Sequence, residues 1–88
     1  MHNEKELRDK IKKIFFDVFQ NMEENDFAWG KQQKDYEGWD SFAQLNLITL
    51  SEAKFEITLS LDESIEIKSA EELFECINWA IRPVAKTE

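Results

Sequence analysis

The chain has 88 residues, 42% of them hydrophobic and 34% charged, a balance that suits a soluble globular protein rather than a disordered one. Its 11 basic and 19 acidic residues leave a net charge of -8, which would repel the phosphates of nucleic acid and of an anionic membrane surface. A single cysteine allows no internal disulfide, and two glycines and one proline favour helices over short strands joined by tight turns.

Residues 1–88 read as one domain. A chain of this size buries only about 60–65% of the surface exposed when unfolded, which leaves little room for both a core and a deep active site. The start, Met-His-Asn-Glu-Lys-Glu, lacks the apolar stretch of a secretory signal, and no apolar run approaches the length that spans a bilayer. A cytoplasmic protein without membrane insertion is expected. The acidity suits basic patches on partner proteins, or solubility alone.

The first predicted element is a helix from Asn3 to Met22. Leu7, Ile11, Ile14, Phe15, Val18 and Met22 recur at three- and four-residue steps, and Asn3 with Glu6 forms a start signal. From Glu23 to Asp40 the periodicity dissolves, and Phe27, Trp29, Tyr36 and Trp39 are scattered among charges and both glycines. This segment reads as a long loop held down by some of its own aromatic rings. A second helix is expected from Ser41 to Lys54 or Phe55, with Ser41 and Gln44 at capping-box spacing. Leu47, Ile48, Leu50 and Phe55 would supply its core face, while Phe42, Leu45 and Thr49 lie on another.

Residues 56–68 alternate apolar and polar like two short strands, but an isolated hairpin in a helical chain would be marginal. A loop with a short helix near Asp62–Ile65 is expected instead. Ser69 to Glu72 is a Ser-x-x-Glu capping box. It opens a last helix with Ala70, Leu73, Phe74, Ile77 and Ile81 on its apolar face, ended by Pro83. Trp79 projects away from that face. The predicted class is all-α, a bundle of three main helices and one short one.

No catalytic constellation is present. His2 is the only histidine, so no Ser-His or Cys-His pair is available. Cys76 reads as a partly buried structural thiol, and Asp62, Glu63 and Glu66 lack the spacing and glycine of a calcium loop. No metal site is expected.

The segment Gly38-Trp39-Asp40-Ser41-Phe42 resembles the attachment motif of acyl carrier proteins, in which Asp-Ser-Leu opens the second helix. Beyond it, Leu45, Leu47, Ile48, Leu50, Glu52, Phe55, Ile57, the acidic turn Asp62-Glu63, Ile67, Ser69 and Ile77 follow the family pattern over residues 38–81 without insertion or deletion. The first helix is compatible but less distinctive. The resemblance implies an acyl-carrier-like four-helix bundle with a long loop between helices 1 and 2. It further implies that a phosphopantetheinyl transferase attaches 4'-phosphopantetheine from coenzyme A to Ser41, with Asp40 helping the transferase and its magnesium ion engage the serine. A hydroxyl at a helix start also suits a phosphate physically, because unpaired amides and the helix dipole favour an anion there.

On that resemblance the protein is a non-catalytic, monomeric carrier. It would hold acyl groups as thioesters for acyl-loading, acyl-transfer or condensing enzymes of a specialised lipid, polyketide or related pathway. Phe42, Leu45, Asn46, Thr49 and Glu52 would face those partners. Two departures stand out. Phe42 replaces the usual leucine, and the second helix lacks the acidic strip of fatty-acid-synthesis members, Glu52 being its only acid before Phe55. Rim charges tune association and partner choice, so the change implies a dedicated partner set. The alternatives are an aminoacyl or peptidyl carrier, and an unmodified helical interaction module.

Overall fold

The structure, a computed structural model, describes residues 3–81 and contains there four α-helices and no strand beyond a single bridge between Gln32 and Ser69. Helix α1 spans Glu4–Val18, α2 Ser41–Phe55, α3 Leu61–Glu66 and α4 Ala70–Ala80. The all-helical expectation holds at the level of a small helical bundle. None of these helices is long and apolar enough to cross a membrane.

Asn3 starts α1 as its spacing predicts, its side chain accepting from the Glu6 amide at 2.7 Å. Leu7, Ile11, Ile14 and Phe15 are buried, and the helix packs on both α2 and α4. It stops at Val18 rather than Met22. Phe19 leaves helical geometry and stacks on Tyr36, with ring centroids 5.7 Å apart and planes at 17°. A tertiary aromatic contact thus ends the helix where periodicity alone would extend it. Met22 still packs against the core, from a turn.

The long loop is held as expected. Two short 3-10 turns, Glu24–Asp26 and Gln33–Asp35, break it up. Tyr36 and Trp39 are buried, while Phe27 and Trp29 pack half-buried on the same core. Phe15 meets Phe19, Phe27, Tyr36 and Trp39 at centroid distances of 5.5–6.0 Å, and Trp29 meets Phe27 edge-on at 5.1 Å. Such tilted and edge-on pairs each add roughly 0.5–1.5 kcal/mol beyond area burial. The loop's backbone also joins the start of α4, through Gln33 N to Lys68 O at 2.7 Å and Glu71 N to Trp29 O at 3.0 Å.

In α2 the buried stripe is Ala43, Leu47, Ile48, Ser51 and Phe55. Leu50, expected in the core, is 39% exposed. Positions 43, 47, 51 and 55 recur every four residues, so geometry assigns Ser51 the inward place and turns Leu50 aside. The Ser51 hydroxyl is wholly buried and has no hydrogen-bond partner among the described residues.

The expected short helix is present as α3, with a Ser60–Glu63 capping box. It buries none of its own side chains. Two side chains of α2 hold it instead. Gln44 donates to the carbonyls of Ser64 and Ile67, and Glu52 accepts from the Leu59 amide at 2.8 Å.

Ser69 caps α4 by accepting from the Glu72 amide at 3.1 Å. Glu72 returns its carboxylate to the Lys68 amide at 2.7 Å, one residue upstream of a standard capping box. Ala70, Leu73, Phe74 and Ile77 are buried. Arg8 clamps α1 to α4, its guanidinium lying 3.9 Å over Phe74 and 4.7 Å over Trp29 while donating to both Glu71 oxygens at 3.0 and 3.3 Å. The helix end expected at Pro83, and His2, lie outside the described residues.

Candidate functional site

Gly38 turns the chain into α2 at φ 91, a left-handed conformation that glycine adopts without a steric penalty. The next two residues set the helix start. Asp40, not Ser41, is the cap. Its Oδ1 accepts from the Ala43 amide at 2.9 Å, and its carbonyl accepts from Gln44 N at 2.9 Å. Ser41 is therefore the first helical residue. It is exposed, and its hydroxyl makes no hydrogen bond to the described residues. The capping box expected between Ser41 and Gln44 does not form, because Asp40 has taken the amide such a cap would need.

Gln44 has a different task. Its Oε1 accepts from the indole nitrogen of Trp39 at 2.6 Å, while its Nε2 reaches Ile67 O at 3.1 Å and also Ser64 O. One side chain ties the loop before the site, α2 and α3 together. The i, i+3 spacing to Ser41 was its only sequence signal, and that signal fits two roles.

Ser41 stands at the edge of a groove of about 390 Å³ between α2 and α3. Ile48, Leu45, Leu61 and Ile65 give it apolar walls, with Lys68 and Gln33 at its rim. Leu45, Leu61 and Ile65 are 60%, 76% and 56% exposed, and Phe42 beside the serine is 72% exposed. These form an apolar surface that the fold itself does not cover. A second depression of about 500 Å³ lies on the Asp40 side, lined by Lys34, Tyr36, Gly38 and Trp39, and again by Gln33 and Lys68.

The remaining residues singled out from sequence divide. Thr49 is exposed on α2 and Asn46 is half-buried there. Glu52 is engaged inside the fold, through the Leu59 amide. Cys76 is half-buried under Trp79, Glu63, Glu72 and Glu75, and burial, followed by those three carboxylates, pushes its thiol pKa up. A raised thiol pKa makes a poor nucleophile at neutral pH. Sequence reasoning missed Gln44 as a tie and Lys68 as a rim residue.

No family model, curated protein or solved structure matches this chain.

Proposed function

We propose that the chain is an acyl carrier protein whose Ser41 bears a 4'-phosphopantetheine arm. One observation carries the reading: Asp40 caps α2, so the Ser41 hydroxyl is left uncommitted on the surface, at the mouth of an apolar groove. The bland role for a serine at a helix start is a cap, and that role is already filled.

The residues present fit the group. An exposed primary hydroxyl is reachable by a transferase, and the free amides of the first helical turn favour a phosphate. In loading, Ser41 Oγ forms the new phosphoester bond as the pyrophosphate bond of coenzyme A breaks. The serine proton passes to the transferase, and 3',5'-adenosine diphosphate leaves. The attached group supplies a terminal thiol that holds cargo as a thioester. Leu45, Ile48, Leu61 and Ile65 offer apolar contact along the groove, and Gln44 keeps α3 in place as its far wall. The exposed, uncharged face of Phe42, Leu45 and Thr49 suits partner enzymes that dock through apolar contact beside the serine.

The same exposed face favours the second reading, a helical interaction module that is never modified. Intact mass separates the two. The purified protein and a Ser41→Ala variant are incubated with coenzyme A, magnesium and a promiscuous phosphopantetheinyl transferase. A carrier gains one phosphopantetheine in the wild type and none in the variant. A folded wild type that gains nothing leaves the interaction module.

A further inference from the structure

The two depressions flanking the start of α2 share a wall, and Lys68 is the cation on it. Lys34 lines only the Asp40 side, and Lys54 lies in the last turn of the same helix. The backbone of Lys68 is held on both sides. Its carbonyl accepts from Gln33 N at 2.7 Å, and its amide donates to Glu72 Oε1 at 2.7 Å. The next residue, Ser69, bridges to Gln32. The side chain leaves this fixed backbone and donates to Ile65 O at 3.2 Å. An ammonium has three donors, so two remain for other acceptors.

Charge gives this placement a consequence. In a chain of net charge -8, the fixed charge adjoining Ser41 in sequence is the Asp40 carboxylate, which opposes a phosphate on the serine. A cation on the opposite rim offsets that repulsion. We infer that Lys68 is a positioning residue whose ammonium pairs with the phosphodiester on Ser41 and directs the attached arm into the α2–α3 groove. The inference rests on the carrier reading. Because the pair is exposed, it weakens with salt.

The test compares unloaded and loaded forms of the wild type, Lys68→Gln and Lys68→Arg. Thermal unfolding and the 31P resonance are recorded at low salt and at high salt. Loading is expected to change the wild-type Tm more favourably than that of Lys68→Gln, by about 1–4 °C at low salt. That difference should vanish at high salt and return in Lys68→Arg, each loaded protein being compared with its own unloaded form because Lys68→Gln also removes the bond to Ile65 O. The wild-type 31P line should move with salt, and the Lys68→Gln line should not. If loading shifts wild type and Lys68→Gln equally and both lines ignore salt, the pairing is wrong and the carrier reading stands. If no form accepts the arm, the carrier reading falls and the pairing falls with it. Should Lys68→Gln fold poorly, the salt response of the wild-type line and the Lys68→Arg result still decide.

Discussion

Replacing Gln44 with alanine should loosen α3, leaving it held by Glu52 at Leu59 and by the buried Leu59 and Ile67 on either side. Three hydrogen bonds disappear: one accepted from Trp39 Nε1 at 2.6 Å, one donated to Ile67 O at 3.1 Å, and one donated to Ser64 O. Trp39 is only 5% exposed, so its indole N–H would lose its partner inside the fold. The three bonds are only part-buried, so each is worth roughly 0.5 kcal/mol net, and with about 1 kcal/mol for the stranded donor the loss is about 2–3 kcal/mol. For a domain of this size the melting temperature should fall by on the order of 10–20 °C. Because α3 buries no side chain of its own, amide exchange over residues 61–67 should accelerate far more than exchange in α1. Gln44→Glu splits the effect. It keeps an acceptor for Trp39 but turns a carboxylate toward two carbonyl oxygens, which raises its folded-state pKa above the unfolded value of about 4.3. A group raised in this way contributes its stability below the unfolded pKa and loses it as pH rises through the folded pKa. The deficit of Gln44→Glu relative to wild type should therefore shrink as pH falls through the raised folded-state pKa and be smallest below about pH 4. Urea unfolding followed by circular dichroism measures the deficits. A loss below about 0.5 kcal/mol for the alanine variant, or protection lost evenly along the chain, would refute the role given to Gln44.

Two further substitutions bear on α2. Ser51→Ala removes a buried hydroxyl that has no partner and should raise stability by about 1 kcal/mol, seen as a higher urea midpoint at unchanged slope; a lower midpoint would mean the hydroxyl is satisfied. Asp40→Ala should cost about 1 kcal/mol through loss of the cap, whereas Asp40→Asn should keep that stability and still slow loading by the transferase. Equal loading rates for Asp40→Asn and wild type would confine Asp40 to capping.

Local signals carried much of the fold. Asn3, Ser69 and the apolar stripes of α1 and α4 announced two helices, because caps and periodicity act over one or two turns. The 56–68 segment was harder, since its alternation resembles strands. Its short helix follows from the absence of any sheet to join and from the Ser60–Glu63 cap. Ser51 carries no such signal, because a hydropathy pattern marks apolar residues and the geometry of α2 places a serine among them. Phe19 ended α1 early through a contact with Tyr36, seventeen positions away, which no window along the chain could contain.

The site was legible in part for a similar reason. Asp40 and Ser41 could be placed at a helix start from sequence, but which of them caps depends on one dihedral and one carboxylate. The spacing Ser41–Gln44 fits a capping box and equally fits the tie to α3 that forms. Lys68 reaches the rim of the site only because the 32–33 backbone pairs with it, a long-range contact without a local signature.

The most direct test is to locate the modification on the chain. Trypsin cleaves after Lys34 and Lys54, releasing residues 35–54, which contain Tyr36, Ser41, Thr49 and Ser51 as hydroxyl-bearing side chains. The protein is loaded with coenzyme A and transferase, digested, and the 35–54 peptide is fragmented in a mass spectrometer. Phosphopantetheine mass on fragments that contain Ser41, and on none that lack it, is the expected result. An unmodified peptide from folded, transferase-treated protein, or mass localised to another residue, would contradict the assignment of Ser41 as the attachment site.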